Sequence, residues 1–300
     1  MKTITAHELK ALAGHAALIH VLPEEHFAQQ HLPGAVNACV YEMIFLPKVA
    51  ELVPDKSAAI IVYGAGDPSL DSSTAAGKLE KAGYTNVRDF RGGLTEWLQH
   101  GLAVEGTGLQ GDSCEVNGVY ELDTDTSVVR WTGRNLFNHH QGTVKLAGGR
   151  IEVQNGALKA ARFTLDMNHI VCEDLVDTAY NALLIRHLRD DDFFAVERFP
   201  TAEFVCEHAE PLPSCTPGTP NYTLHGSMTL RGVTQPLSFP AVIAAADADH
   251  LTGQAQFEID RTQFGSHYGS GRLFAFLGKH VVNDHVHLHV KLHAKRAETE

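Results

Sequence analysis

The residues best placed for chemistry lie in the loop that follows a short apolar segment. Residues 60–63 read Ile-Ile-Val-Tyr, which is typical of a buried strand, and a helical stretch starts near Ser72. A strand-loop-helix turn directs backbone N–H groups and the positive end of a helix into the loop, where they would lower the pKa of a thiol. The loop consists of Gly64, Ala65, Gly66, Asp67, Pro68 and Ser69. We therefore predict an intact anion-binding cradle without a nucleophile.

Nineteen histidines form the second chemical feature. His285, His287 and His289 alternate, so a strand would place them on one face about 6.6–6.8 Å apart. Two such imidazoles can reach one metal ion, but no cysteine or carboxylate joins them in a known spacing. We favour an outer-face row without a metal and keep a metal site as the alternative. His139 and His140 suggest a polar turn, or else a hydrogen-bonding role at a cavity mouth.

The pattern of elements changes along the 300 residues, which suggests two domains. Residues 1–105 alternate apolar strands with helices, and this predicts a parallel sheet with flanking helices. A glycine-rich stretch at 106–114 is predicted to be a linker. Residues 115–296 contain alternating runs and an Asn155-Gly156 turn, which predict an antiparallel barrel or sandwich with a helical insertion at about 175–188.

Ordered motifs in the first domain narrow its fold. They are His-Leu-Pro-Gly-Ala-Val-Asn at 31–37, Ile-Val-Tyr-Gly at 61–64, Gly-Tyr-Thr-Asn-Val at 83–87, and Gly-Gly at 92–93 before Trp97. Together they resemble the rhodanese-like family, and the resemblance places that family's sulfur-carrying cysteine at Gly64. The family's Asp-Val-Arg triplet reads His-Val-Leu at 20–22. We expect a scaffold or interaction domain, because a glycine cannot carry a persulfide.

The second domain has its own ordered motifs. They are Tyr-Glu-Leu-Asp at 120–123, His-Leu-Arg-Asp-Asp-Asp-Phe-Phe at 187–194, Phe-Pro-Thr-Ala-Glu-Phe at 199–204, Arg-Gly-Val-Thr-Gln-Pro at 231–236 and Ile-Asp-Arg-Thr-Gln-Phe-Gly at 259–265. They resemble the YceI-like family. The resemblance implies a lipocalin-like antiparallel barrel that holds long polyisoprenoid chains, isoprenoid quinones among them.

Alternating apolar residues are the candidates for the lining of such a barrel. The predicted ligand-binding residues are Trp131, Phe163, Leu165, Phe204, Val286, Leu288 and Val290. An eight-stranded barrel leaves room for side chains or for one slender ligand. The alternative that these residues simply fill a core stays open, because a lined cavity and a filled core have the same sequence pattern.

Composition restricts the partners. The formal charge of −12, without a basic stripe, argues against nucleic acid. No window has the run of about 18–20 apolar residues that a transmembrane helix needs. The start lacks an apolar signal-peptide region, and the five cysteines form no paired framework, so we expect a cytoplasmic protein with reduced thiols. A homodimer is compatible with the sequence.

We therefore expect a non-catalytic binding protein that needs no cofactor and carries an isoprenoid or quinone in the barrel. Its degenerate rhodanese-like module would serve docking or sensing. Two alternatives remain. One is a sulfurtransferase-related enzyme that uses a displaced cysteine such as Cys39, and the other is a metal-binding stress protein based on the histidine row.

Overall fold

A computed structural model describes residues 2–12, 14–108 and 116–298. The chain divides into two compact units, residues 1–113 and residues 114–300, and each is described by itself. None of the helices in the described ranges is long and apolar enough to cross a membrane.

The N-terminal unit is built on a parallel five-stranded sheet in the order β1-β5-β4-β2-β3. Its strands are β1 (Lys2–Thr3), β2 (Ala17–His20), β3 (Val36–Asn37), β4 (Ile60–Tyr63) and β5 (Val87–Phe90). The central strand β4 is buried along its whole length, as its run of four large apolar residues predicts. The predicted α/β fold with a parallel sheet is thus confirmed.

Five helices cover this sheet, and three of them match the sequence pattern. They are α1 (Ala6–Ala11), α2 (Glu24–Gln29), α3 (Phe45–Leu52), α4 (Asp71–Lys81) and α5 (Gly93–Gln99). Thr5 and Glu8 form a capping box at the start of α1. The pattern does not reveal α3 or α5. Pro47 argues against a helix, yet it lies in the first turn of α3, where its missing N–H needs no partner.

The C-terminal unit is a closed antiparallel barrel of nine strands in eight positions. The strands are β6 (Gly118–Leu122), β7 (Val128–Arg134), β8 (His139–Gln154), β9 (Ala157–Cys172), β10 (Thr201–Pro211), β11 (Tyr222–Leu230), β12 (Val233–Ala245), β13 (His250–Asp260) and β14 (His285–Arg296). Strands β6 and β7 share one position, since each pairs with a different part of β8 and of β14. Pairing of β13 with β14 closes the sheet, which decides for the barrel over the sandwich.

The two residues of the turn determine how the longest hairpin of the barrel, β8–β9, is connected. Asn155 and Gly156 join β8 to β9 with φ angles of 53° and 72°, the left-handed values of a type I′ turn. The predicted hairpin is confirmed, although its strands run much further than the sequence pattern shows. The prediction of a polar turn at His139 and His140 is wrong, because β8 begins at His139.

One helix, α6 (Thr178–Arg189), interrupts the barrel strands. It begins three residues later than the predicted start at 175, because the Asp177 side chain accepts hydrogen bonds from the N–H groups of Ala179 and Tyr180. Leu175 therefore lies in the connection between β9 and α6.

A buried arginine fastens the segments at one end of the barrel. Arg261 follows β13 in a short 3₁₀ helix and is fully buried. Its guanidinium donates hydrogen bonds to the carbonyl oxygens of Asn283 (3.0 Å), Ser266 (2.7 Å) and Tyr268 (2.7 Å). The guanidinium also lies 5.1 Å from the ring centroid of Phe193. One side chain thus joins the loop that follows it, at 266–268, to the segments that contain Asn283 and Phe193.

We expect Arg261→Ala to lower the free energy of unfolding of the barrel by about 3–5 kcal/mol, because it leaves several buried carbonyl groups without a donor. Urea unfolding followed by Trp131 fluorescence in a Trp97→Phe background measures this change. Arg150→Ala is the matched control, since Arg150 is exposed and its ion pair with Glu152 contributes about 0–1 kcal/mol. Equal losses in both variants would contradict the role given to Arg261.

Candidate functional site

The barrel interior contains two apolar cavities that adjoin each other. Each has a volume of about 90 Å³. Four residues line both cavities: Val129, Leu165, Met228 and Leu288. The two cavities are therefore neighbouring spaces in one apolar interior, with these four side chains between them.

The structure brings all seven predicted lining residues to this interior. The first cavity is lined by Phe163, Leu165, Phe204, Leu288 and Val290, among others. The second is lined by Trp131, Leu165, Val286 and Leu288, among others. That they contact a ligand stays a prediction.

Several lining residues were not predicted. Leu237, Phe239, Ala241 and Ile243 occupy alternate positions of β12, so the same two-residue period could have found them. Leu188, Phe193 and Phe194 belong to the helical insertion and the segment after it. No strand alternation marks them, because they reach the interior from outside the sheet.

The few polar residues that line the interior are different in the two cavities. Thr252 and Gln254 of β13 line only the first cavity. Arg261 and Asn283 line only the second. The stretch that the two cavities share is therefore wholly apolar, and an amphiphile could bury its hydrocarbon tail there without leaving a polar group unpaired.

The histidine row lies on the other face of β14. His285 and His289 are exposed, and Nδ1 of His287 lies 3.1 Å from Oε1 of Glu258 on β13. His287 and His289 line a surface groove together with Arg130. The row is thus on the outside of the barrel, as the apolar alternation predicts. Whether it holds a metal stays a prediction.

In the N-terminal unit, the loop from Gly64 to Ser69 is occupied by a side chain of the protein itself. The carboxylate of the buried Asp71 accepts hydrogen bonds from the Ala65 N–H at 3.1 Å and from the Ser69 hydroxyl at 2.7 Å. Asp71 is the first residue of α4, so an anion already lies at the positive end of that helix. The predicted cradle exists, but its Ala65 N–H and Ser69 hydroxyl are engaged by this carboxylate.

Gly64 is required by this arrangement. A Cβ atom at position 64 would overlap the carboxylate of Asp71. The opposite case is Gly77 in α4, where nothing lies within 4 Å of the position of a Cβ atom. A side chain at position 64 and the carboxylate of Asp71 therefore cannot both keep these positions.

A buried histidine lies at the end of β2, where the sequence reads His-Val-Leu. His20 is fully buried, and its ring contacts those of Phe27 and Tyr63 at centroid distances of 5.5 Å and 5.1 Å. Burial, with smaller contributions from His31 and His26, lowers the pKa of His20 to about 4. The ring is therefore neutral at pH 7.

Four cysteines lie in the described residues, and all are free thiols. Cys39, Cys172 and Cys206 are buried, and Cys215 is exposed. Cys114 lies outside the described residues. Cys39 follows β3 and belongs to the apolar interior of the N-terminal unit, with 3% of its surface exposed.

Comparison with known proteins assigns a family to each unit. The profile of the YceI-like domain matches residues 120–294, and that of the rhodanese-like domain matches residues 5–100. Among solved structures, Burkholderia cenocepacia BcnA is 21% identical, with a TM-score of 0.46 over 58% of this chain and 99% of that chain. A polyisoprenoid-binding domain from Saccharophagus degradans is 14% identical, with a TM-score of 0.43 over 59% of this chain and 98% of that chain.

The curated relatives match about a third of this chain or less. The adenylyltransferase and sulfurtransferase UBA4 of Candida albicans is 38% identical over 86 residues, which are 27% of this chain and 19% of that protein. The chain thus spans about a fifth of the length of the UBA4 proteins. Thiosulfate sulfurtransferase 16, chloroplastic, of Arabidopsis thaliana is 33% identical over 106 residues, which are 32% of this chain and 84% of that protein.

We expect Gly64→Cys and Asp71→Ala each to lower the free energy of unfolding of the N-terminal unit by about 1–3 kcal/mol, the first by overpacking and the second by removing a buried acceptor. The double variant should lose less than the sum of the two, because removal of the carboxylate makes room for the cysteine. Urea unfolding followed by Trp97 fluorescence in a Trp131→Phe background gives the three values. Gly77→Cys, the matched control, should show no such coupling with Asp71→Ala. Additive losses at positions 64 and 71 would contradict the steric conflict.

We also expect the N-terminal unit to lose stability as the pH falls from about 6.5 to 4. The folded state keeps His20 neutral through this range while the unfolded state takes up a proton, so the contribution is present above pH 6.5 and is lost toward pH 4. The full change is about 3 kcal/mol. Urea unfolding at several pH values, compared between the wild type and His20→Leu, isolates it. An unchanged slope in His20→Leu would rule out this residue as the cause.

Proposed function

Because this chain belongs to the YceI-like family and also contains a rhodanese-like domain, we propose that it is a non-catalytic binding protein for a polyisoprenoid or a similar amphiphile. The ligand, an isoprenoid quinone among the candidates, would lie in the barrel. The rhodanese-like domain would dock a partner or sense a signal without sulfur transfer.

The observation that carries this proposal is the apolar interior of the barrel. It contains two adjoining cavities that share the side chains of Val129, Leu165, Met228 and Leu288. A hydrocarbon tail placed there gains about 0.8 kcal/mol for each methylene removed from water. Tight binding therefore requires no charged group along the wall, which suits a linear isoprenoid better than a polar metabolite.

The proposed loss of sulfur transfer rests on the loop from Gly64 to Ser69. It contains no cysteine, and the carboxylate of Asp71 uses the Ala65 N–H that would otherwise stabilise an anionic sulfur. A negative charge in this position also repels a thiolate or a thiosulfate anion. Both features favour a docking role for the domain.

Sulfur transfer is the second candidate, and the names of the curated relatives favour it. It would require another thiol, and Cys39 is buried away from solvent. A thiosulfate–cyanide assay distinguishes the two candidates, because we expect no turnover above the uncatalysed rate. Turnover that is lost in Cys39→Ser would overturn our proposal for this domain.

For the barrel, we expect mass spectrometry of organic extracts from the purified full chain to recover an isoprenoid lipid, and the stripped protein to bind added isoprenoid quinone. Leu288→Trp should abolish this binding, because the indole fills the junction of the two cavities. His289→Trp is the matched control on the same strand, and it should bind normally since its side chain points outward.

A second variant guards against misfolding of Leu288→Trp. Leu288→Ala enlarges the junction, so it should retain binding. If the stripped wild type binds no isoprenoid, or if the tryptophan at 289 blocks binding as well as the one at 288, the barrel is not the carrier that we propose.

A further inference from the structure

We propose that the barrel carries a binding site for one transition-metal ion of the Zn²⁺ class, formed by His140, Cys172 and Asp174. The site lies at the rim of the barrel and is separate from the histidine row on β14. The proposal does not depend on the identity of the ligand in the cavity.

The three side chains meet because of strand pairing. Residue Gly142 of β8 pairs with Cys172, the last residue of β9, and His140 lies two residues before Gly142 on the same strand. Asp174 follows β9 by two residues and turns back toward β8. Strand pairing thereby brings Cys172 and Asp174 next to His140, although they are 32 and 34 residues away from it in the sequence.

Their donor atoms form a compact set. Nδ1 of His140 lies 2.9 Å from Oδ2 of Asp174, and Sγ of Cys172 lies 3.3 Å from Oδ1 of the same carboxylate. All three donor atoms lie within 4.8 Å of one another, and within the described residues this is the one group of histidine, cysteine and acidic side chains that comes together so closely. A metal ion with ligands at about 2.0–2.3 Å fits such a set after small side-chain adjustments.

The chemistry of the donors selects the metal. One sulfur, one imidazole nitrogen and one carboxylate oxygen suit Zn²⁺ and its spectroscopic substitute Co²⁺, whereas Mg²⁺ and Ca²⁺ prefer sites made of oxygen alone. Three protein ligands leave the fourth tetrahedral position to water. His140 also lines an opening beside α6 together with Tyr180 and His187, so the fourth position has access to solvent.

The surroundings hold the ligands in place. The backbone N–H of Gln141 donates to Oδ1 of Asp174 at 2.7 Å, and Nδ2 of Asn181 donates to the carbonyl oxygens of Cys172 and Leu175 at 3.0 Å each. The two carboxylate oxygens of Asp174 are thereby directed at the other two ligands, Oδ2 at His140 and Oδ1 at Cys172.

Binding replaces a proton by the metal. The Cys172 thiol donates its S–H to Asp174, so a metal–sulfur bond forms as the S–H bond breaks and the proton leaves to solvent. No electron is transferred. One proton should therefore be released for each ion bound, and the affinity should rise with pH.

The test uses the full chain, purified without an affinity tag and treated with a chelator. Titration with Co²⁺ should saturate at one ion per chain and produce the absorption of a thiolate–Co²⁺ charge transfer, which added Zn²⁺ should abolish. Cys172→Ser should remove this absorption. Cys206→Ser is the matched control, since Cys206 is equally buried in the same barrel, and it should leave the absorption unchanged.

His140→Gln and Asp174→Asn should each weaken binding by at least about tenfold, because even the loss of an outer partner of a metal ligand has an effect of that size. The neighbouring His139→Gln should have no effect, and neither should His287→Ala. His140 is only half-buried, so this variant still tests the site if Cys172→Ser fails to fold. Charge-transfer absorption that persists in Cys172→Ser, or metal binding that responds to His287→Ala instead of His140→Gln, would overturn the proposal.

Discussion

Closure of the antiparallel sheet is the constraint on which the C-terminal unit depends. The ladder between β13 and β14 runs from His250 opposite Lys295 to Asp260 opposite His285, so no edge of the sheet is left along these strands. Once eight strand positions close, every second residue must point into an interior too narrow for more than side chains or one thin ligand. The apolar row of β14 then lies inside, and its histidines lie outside.

Closure fixes the walls of the barrel but not its ends, which other segments must cover. At one end, the guanidinium of Arg261 ties together two segments, 266–268 and 283, whose carbonyl groups have no partner in a strand ladder. At the same end, near α6, the connection after β9 is held by Asp174 and Asn181. This end is therefore polar in its hydrogen bonding, whereas the cavity walls beyond it are apolar. This division suits a ligand with a long tail and a polar head.

The N-terminal unit follows a different constraint. Its parallel sheet brings the carboxyl ends of the strands to one edge, where loops present backbone N–H groups to an anion. In this chain the anion is the carboxylate of Asp71, and Gly64 leaves the space that it needs. Such a loop keeps its shape without binding anything from solution, which explains how the fold can persist in a domain that we propose to be non-catalytic.

Local patterns in the sequence determined much of this protein. The four apolar residues of β4, the alternation along β14 and the Asn155-Gly156 turn each specify a local conformation, because side-chain period and backbone preference act over a few residues. All seven residues predicted to line the barrel do line it, since alternation decides which face is apolar once the sheet closes.

Only the tertiary structure decided which distant side chains meet. The pairing of β8 with β9 contains register shifts at Val144/Lys145 and Leu146/Gly148, and these irregularities place Cys172 beside the strand that carries His140. The position of the Asp71 carboxylate in the loop that precedes α4 likewise depends on how α4 packs against the sheet. Neither contact has a local signal, because register and packing depend on the whole set of strands rather than on the residues at the site.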